Sequence, residues 1–439
     1  MTTQEKIKNV VSSLPAVGLL ALIATLPFHY GSAQRIALYW LTAAYPIDYI
    51  VNRRWQGRHW SRRNWVYVAF IAFFCLIPIW QIFDPQFTPL FQFTIERYVP
   101  FLAIGVCGLL GVTDKFRVDY VAWVMLATSV AMILYLAIVV GPQPDFTQWC
   151  FLFNLARIEH INTHMVFNLY LNLSLILGVF VVIYAKRPLW LRILTAVAMV
   201  APVFALLITE GRTGLLTLLL CTFVLLLYYM LCQHRWWMLS LVALFVIVAG
   251  VIIMNNERLE VARTTTNPRI YIWKIAGQMI MEHPMLGFGV CSAREEFIRR
   301  GLADDDFNAH YANEVRTMPC YSAQGRVHFE IMHPHNAVLE TWTQFGVLGV
   351  FLLVICLMLP LLMRLQKYQL YLDLCVLAFA VQACFESLGN NLQPMYLCLM
   401  VLLFHTQFIA DVRSRAILSR QSAELAPSVG TPTTVAHPQ

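Results

Sequence analysis

Residues 333–363 read HPHNAVLETWTQFGVLGVFLLVICLMLPLLM, a short polar motif that runs directly into an apolar stretch. The apolar residues 338–363 are enough for a helix that crosses a bilayer, which needs roughly 17–25 residues. The motif closes the only long polar segment between apolar stretches of the sequence. The sequence therefore predicts a membrane protein whose polar groups gather where this span begins.

The composition of the whole chain supports that interpretation. Of its 439 residues 59% are hydrophobic and 13% are charged, with a mean hydropathy of +0.63. Soluble domains carry about 25% charged residues, so a soluble protein of this length could not hide so much apolar surface. Apolar runs of spanning length predict twelve transmembrane segments: 14–30, 33–51, 65–83, 98–112, 118–140, 164–184, 189–208, 213–231, 236–254, 338–363, 369–388 and 393–410.

The predicted fold class is all-α, a polytopic membrane protein with about 12 transmembrane helices and one large, partly helical periplasmic segment between spans 9 and 10. The chain divides into spans 1–9 over 1–254, the polar segment 255–337, spans 10–12 over 338–410, and a tail over 411–439. Apolar residues at helical spacing between Ile270 and Ile280, followed by Pro284, predict one helix in the polar segment, and Ser292–Arg300 predicts another. The tail has little to bury, and we expect it to be disordered.

The distribution of Lys and Arg predicts the orientation of the chain. With the N-terminus in the cytoplasm, the inner segments carry eighteen Lys and Arg, whereas the short outer loops carry only Arg35, Arg97, Arg157 and Arg212. Inner loops of membrane proteins are enriched in these residues. We therefore expect both termini in the cytoplasm and the polar segment outside. The net charge of +7 reflects these membrane anchors and does not indicate a nucleic-acid partner.

The His333-Pro334-His335-Asn336 motif admits three interpretations. The two histidines could bind a metal, with Glu330 or His328 as a further ligand, although the spacing fixes no third strong ligand. They could simply cap the next span. In the third interpretation one of them is a catalytic base, because histidine titrates near neutral pH and can accept a proton from a sugar hydroxyl. We favour this last interpretation, with His335 as the base.

Two arginines are candidates for an anion site. Arg212 lies in a tight outer connection between two spans, where an arginine is costly unless it has a function. Gly211 and Gly214 beside it would let a diphosphate approach the backbone, although Arg212 could also snorkel or pair with a neighbouring carboxylate. Arg269 begins the first helix of the polar segment, and a helix N-terminus favours anions. An exposed surface arginine is the alternative for this residue.

Two further features lie near the outer face. Glu386 stands near the outer end of its span, where it could orient His335, hold an arginine, or serve only as a boundary carboxylate. Cys291 and Cys320 both fall in the outer segment, where a disulfide could join them in an oxidising compartment.

The spacing His335-Asn336, nine residues, Gly346-x-x-Gly349 resembles the signature of the O-antigen ligase group. The superfamily also holds O-antigen polymerases and bacterial protein O-oligosaccharyltransferases. The resemblance implies an inner-membrane glycosyltransferase of lipopolysaccharide biosynthesis. It would transfer an undecaprenyl-diphosphate-linked glycan to a sugar hydroxyl of lipid A–core, without cofactor or metal.

The family's catalytic histidine corresponds to His335, and its two arginines correspond to Arg212 and Arg269. Four further residues are candidates for substrate contacts: Asn336, His333, Arg294 and Glu386.

Other functions differ in the acceptor or in the type of process. A polymerase would extend another lipid-linked glycan, and a protein O-oligosaccharyltransferase would modify a Ser or Thr hydroxyl. A flippase for lipid-linked sugars predicts internal repeats and charged groups near mid-membrane. The sequence has no such repeat, and the centres of nearly all its spans lack charged residues. These features favour an enzyme.

Overall fold

The computed structural model describes residues 2–28, 32–55, 60–83, 89–111, 115–140, 164–208, 212–255, 268–305, 319–322, 325–328, 333–387 and 393–425. The helices are α1 Thr3–Thr25, α2 Ser32–Val51, α3 Trp65–Phe83, α4 Pro89–Leu110, α5 Val118–Val140, α6 His164–Tyr184, α7 Leu189–Ala198, α8 Val200–Ile208, α9 Arg212–Leu231, α10 Leu239–Asn255, α11 Pro268–Glu282, α12 Val290–Ala303, α13 Ala337–Leu361, α14 Gln369–Phe385 and α15 Gln393–Leu425. Two short strands, β1 Pro319–Ser322 and β2 Gly325–His328, pair antiparallel with Pro319 opposite His328.

The helices confirm the predicted all-α membrane fold. Within the described residues, nine helical segments are long and apolar enough to cross a membrane. The other three predicted spans correspond to α2, α4 and α10. These helices are apolar in part but do not meet the same requirements of length and composition. The seventh span is two consecutive helices, α7 and α8, that meet at Met199.

The centre of the bundle is built from α6 and α15. Residues 166–177 of α6 and 394–406 of α15 are buried on every side. Both stretches include buried polar side chains, such as Asn168, Asn172 and His405, which lipid could not satisfy. Accordingly, α15 packs against α4, α5 and α14, while α6 packs against α5, α9 and α14.

The bundle has two polar ends, which we call face A, where α13 begins, and face B, where α13 ends. At face A, Trp80 near the end of α3 donates to the carbonyl of Leu286 (2.7 Å). At face B, Arg63 before α3 donates to the carbonyl of Met363 after α13 (2.7 Å). Charged side chains therefore collect at the helix ends, as the sequence predicts.

The predicted helices of the polar segment are present as α11 and α12. They pack on each other through a small apolar cluster that includes Ile275, Met279 and Phe297. Arg300 of α12 also donates to Glu282 at the end of α11 (2.9 Å from Nη1 to Oε1). Both helices also pack against α13, so this part of the polar segment is joined to the membrane bundle.

Two details of the chain bear on other expectations. The last helix, α15, continues to Leu425, so the expected disorder does not hold for residues 411–425. Cys291 is buried, and the side chain of Cys320 lies outside the described residues, so their disulfide stays a prediction.

Candidate active site

Asn336 fixes the point at which α13 begins. Its backbone is extended, and its side-chain oxygen accepts hydrogen bonds from the N–H groups of Val338 (2.9 Å) and Leu339 (3.0 Å). This is the bonding of a helix N-cap. Its side-chain nitrogen donates to the carbonyl of Cys384 (2.9 Å), near the end of α14. The amide predicted to contact substrate therefore joins the start of α13 to the end of α14.

His335 lies directly before this cap in an uncommon backbone conformation. Its φ is +47°, in the left-handed region that few residues other than glycine adopt. Its Nδ1 lies 3.5 Å from Oε2 of Glu386. That is an ion-pair distance rather than a good hydrogen bond, and such contacts often tighten only when substrate binds. Among the described residues nothing hydrogen-bonds to Nε2, so this nitrogen is available to a substrate.

Glu386 lies between His335 and Arg269. Its side chain is 2% exposed, and its other oxygen, Oε1, lies 3.5 Å from Nη2 of Arg269. The same guanidinium lies over the ring of Phe385, 5.4 Å from its centroid. Burial lowers the pKa of Arg269 and the Glu386 carboxylate opposes that shift. Glu386 thus lies within 3.5 Å of both the histidine and the arginine, the two partners that the sequence offered as alternatives.

His333 is a supporting residue of the motif. It is buried, and its ring centroid lies 4.1 Å from that of His335. Its Nδ1 lies 3.1 Å from Oγ of Ser387 and accepts from the backbone N–H of His335 (3.4 Å). Burial holds the pKa of His333 well below its usual range, and the charges of His335, Arg294 and Arg97 lower it further. His333 is therefore neutral, with its proton assigned to Nε2 because Nδ1 accepts.

The same electrostatic effect identifies a cation that the sequence reasoning did not select. Arg97 belongs to α4 and Arg294 to α12, and both act on His333 from neighbouring elements. From the sequence alone, Arg97 was only one of the outer-loop arginines. The available signal was its position directly before the apolar run 98–112, where an arginine is costly unless it has a function, as for Arg212.

Arg212 is the first residue of α9, and its side chain lies outside the described residues. Helix α9 packs against α14, which ends at Phe385 beside the site. Gly214 does not offer open backbone to a diphosphate. A Cβ at that position would lie 2.6 Å from Cβ of Asn168 in α6, and Asn172 donates to the carbonyl of Gly214 (3.1 Å). Gly214 therefore allows α9 and α6 to pack closely.

The glycines of the motif shape α13 rather than the site itself. At Gly346 the helix is broken, with φ +63° and ψ −159°. The turn 284–289 inserts at this break and pairs with the backbone groups that the kink frees. Its bonds run from Phe288 N to Thr343 O (2.8 Å), from Gly289 N to Gln344 O (3.0 Å), and from Val347 N to Pro284 O (3.0 Å). The nine residues between Asn336 and Gly346 are thus the helix segment from cap to kink.

A further bond ties the histidine motif to the polar segment. Trp273 of α11 donates from Nε1 to the carbonyl of Pro334 (3.0 Å). Arg269 lies one helical turn earlier on α11, so this contact helps to set its position relative to Glu386. The site is consequently assembled from α11, the 333–336 motif and the end of α14.

Comparison with known proteins gives a match for the part of the chain that carries most of this site. The model of a family described as O-antigen ligase matches residues 194–354. The matched range includes Arg212, Arg269, Arg294, the histidine motif and both motif glycines, and it ends before Glu386. No curated protein matches the chain. Over residues 194–354 the chain is therefore similar to the O-antigen ligase family, and that stretch carries Arg269 and His335 of the candidate site.

Proposed function

We propose that this protein is an O-antigen ligase of the bacterial inner membrane, which transfers a glycan from undecaprenyl diphosphate to a sugar hydroxyl of lipid A–core. The observation that carries the proposal is the chain Arg269–Glu386–His335 at face A, largely within the region that matches the family. It provides a base, a group that orients the base, and a cation at the end of a membrane bundle. A lipid-linked diphosphate donor and a lipid-linked acceptor meet at such a surface.

The proposed reaction is a single displacement. The acceptor oxygen attacks the anomeric carbon of the donor sugar, and the bond from that carbon to the diphosphate oxygen breaks. The electron pair leaves with the diphosphate, and the acceptor proton passes to Nε2 of His335. The anomeric configuration is inverted. A positioned general base of this kind contributes about 10²–10⁴-fold to the rate.

Glu386 supports this step because its charge is buried beside the base. Its carboxylate faces Nδ1 of His335, so it stabilises the imidazolium that forms when Nε2 accepts the proton. A buried carboxylate that is already shared with Arg269 is poorly placed to bind substrate as well. We therefore assign Glu386 a positioning role.

The leaving diphosphate needs positive charge, because negative charge grows on it as the glycosidic bond breaks. Arg269 has one nitrogen toward Glu386, and its guanidinium carries five N–H donors in a planar fork that fits phosphate oxygens. Arg212 is the second proposed diphosphate contact. Arg294 and Arg97 add positive potential on the side of His333. Fixed cations of this kind are most effective where water is excluded.

The proposed orientation places face A in the periplasm and both termini in the cytoplasm. Lys and Arg are concentrated at the helix ends of face B, including Arg117, Arg187, Lys367 and Arg415. This distribution supports a cytoplasmic face B.

Two related activities are the alternatives to a ligase. O-antigen polymerases and protein O-oligosaccharyltransferases use the same type of donor, and they differ from a ligase in the acceptor.

A transfer assay tests both the reaction and the base. Purified protein would be mixed with undecaprenyl-diphosphate glycan and lipid A–core in detergent. The variant His335→Asn removes the imidazole and suits a φ of +47°, because asparagine tolerates the left-handed region. His234→Asn is the matched control, since His234 has φ +51° and is exposed on a connection at face B.

We expect glycan on lipid A–core with the wild type and His234→Asn, and none with His335→Asn. Full activity of His335→Asn would remove the base from the mechanism. Chain growth or glycosylated protein in place of modified lipid A–core would identify one of the related enzymes. A flippase would form no product with any acceptor.

A further inference from the structure

A polar cavity lies at face B, at the end of the bundle remote from His335. It has a volume of about 350 Å³, within the range of roughly 300–1,000 Å³ that small-molecule sites occupy. Its wall is formed by the start of α5, the end of α6, the connection before α14 and residues 407–415 of α15. Six charged residues line it: Arg117, Asp119, Lys186, Lys367, Asp411 and Arg415.

The two carboxylates of this wall are already satisfied. Asp119 accepts from Arg117 (3.1 Å) and from Nε of Arg187 (2.7 Å). Asp411 pairs with Lys367 (3.1 Å) and accepts from the hydroxyl of Tyr368 (2.6 Å). Neither carboxylate needs a further cation to balance its charge.

Two cations of the wall remain in excess. Lys186 has no ion pair within the part of the chain that the structure describes. Arg415 donates only to the amide oxygen of Gln366, at 3.4 Å. With four cations against two carboxylates, the cavity has a formal charge of +2. A concave surface of one sign concentrates anions.

The floor of the cavity is aromatic. Phe180 contacts Tyr184 and Tyr368, with ring centroids 6.0 and 5.4 Å apart, and all three line the cavity. The side chains of Trp190, Trp236 and Trp237 are exposed at the same end of the bundle. Exposed tryptophans mark the level of the lipid headgroups in membrane proteins. The cavity therefore combines cations at the level of the lipid headgroups with an aromatic floor.

We propose that this cavity binds the phosphate of an anionic phospholipid headgroup, with Lys186 and Arg415 as the main contacts. Phosphate oxygens accept well from Lys and Arg, and basic pockets between membrane helices suit anionic headgroups. The aromatic floor would contact the glycerol part of the lipid. Free phosphate offers the same charge without the apolar part, which allows the two sources to be separated.

The test compares lipid binding by the whole protein and a double variant. Wild type and Lys186→Gln/Arg415→Gln would be placed in nanodiscs of phosphatidylcholine, with and without phosphatidylglycerol. Thermal unfolding and the lipids retained in native mass spectrometry would be measured. The control is Lys8→Gln/Arg413→Gln, which removes the same charge from exposed residues outside the cavity. A third arm adds inorganic phosphate to protein in phosphatidylcholine.

We expect phosphatidylglycerol to raise the unfolding temperature of wild type and control, and to be retained by both. The cavity variant should lose at least tenfold in affinity for phosphatidylglycerol and match wild type in phosphatidylcholine. Equal retention by the cavity variant and the control would overturn the site. Equal stabilisation by inorganic phosphate would overturn the lipid as its ligand.

Discussion

Replacing Gly346 with alanine should destabilise the part of the fold that carries the site. The residue has φ +63° and ψ −159°, a conformation open essentially to glycine alone. A Cβ there would lie 2.5 Å from the backbone nitrogen of Leu286 and closer still to the carbonyl group of Met285. All of these are backbone atoms, so no side-chain rotation can relieve the clash, and the turn 284–289 must move.

The size of the effect follows from two terms. Backbone strain of this kind costs about 1–3 kcal/mol. Moving the turn breaks some of the three bonds that join it to the kink, and each contributes about 0.5–1.5 kcal/mol net. Loss of two bonds brings the total to about 2–6 kcal/mol. With an unfolding entropy of about 2.1 cal/mol/K per residue over 439 residues, Tm should fall by roughly 2–7 °C.

Thermal unfolding of the purified protein in detergent measures this shift. The control is Gly277→Ala in α11, where a Cβ would meet nothing within 4 Å. Alanine is favoured over glycine in a helix by about 0.5–1 kcal/mol, so the control should keep or raise Tm. An unfolding temperature of Gly346→Ala equal to that of Gly277→Ala would refute the role of the kink. We also expect Gly346→Ala to lose transfer activity, because the displaced turn leads into α12 and its Arg294.

Three further changes test the titratable and charged groups of the site. Glu386→Gln should lower kcat about 10–100-fold and alter its pH profile, because the contact to His335 should tighten with substrate into a hydrogen bond between charged groups, worth about 1.5–3 kcal/mol. An unchanged profile would separate Glu386 from His335. Arg97→Gln should lower kcat/KM at least roughly tenfold with little change in Tm, if its charge helps to hold the leaving group; full activity would leave Arg97 a structural residue. The buried, neutral His333 should make the protein less stable as the pH falls below about 6.5, because the unfolded chain then binds a proton that the folded chain does not. The free energy of unfolding should fall by at most about 1.4 kcal/mol per pH unit. His333→Asn keeps an acceptor for Ser387 and should flatten that dependence of Tm on pH, whereas an equally steep curve would assign it to other groups.

The spans could be predicted from sequence because the bilayer imposes a length and a composition on each one separately. The seventh span shows the limit of that reasoning. An apolar run predicted one helix over 189–208, and the structure divides it at Met199 into α7 and α8. A hydropathy profile cannot reveal a break between two helices when the residues on both sides of the break are equally apolar.

The spacing of the motif does not reveal the structural roles of its residues. Asn336 was expected to contact substrate, and it caps α13 and ties that helix to α14. Gly346 is required by a turn that comes 57 to 62 positions earlier in the chain. Contacts between positions so far apart leave no periodic pattern in the sequence, so only the fold reveals them.

Arg97 and Glu386 illustrate the same limit for the charges of the site. Arg97 lies within α4 and Glu386 follows α14, and nothing near either residue in sequence indicates a shared environment. Sequence analysis therefore left Glu386 with three possible roles and did not select Arg97. The structure places Glu386 within 3.5 Å of both His335 and Arg269, and the charge of Arg97 lowers the pKa of His333.

The way in which the site is assembled links the histidine to the distant glycine of the motif. Arg269 lies on α11, His335 precedes α13, and Glu386 follows α14, so no single helix holds the three groups together. Their distances depend on how α11 docks on the membrane bundle. That docking uses the bond from Trp273 to Pro334 and, beyond the end of α11, the turn that inserts at the Gly346 kink. We therefore expect Gly346, eleven positions beyond the proposed base, to affect transfer through the backbone geometry of this docking.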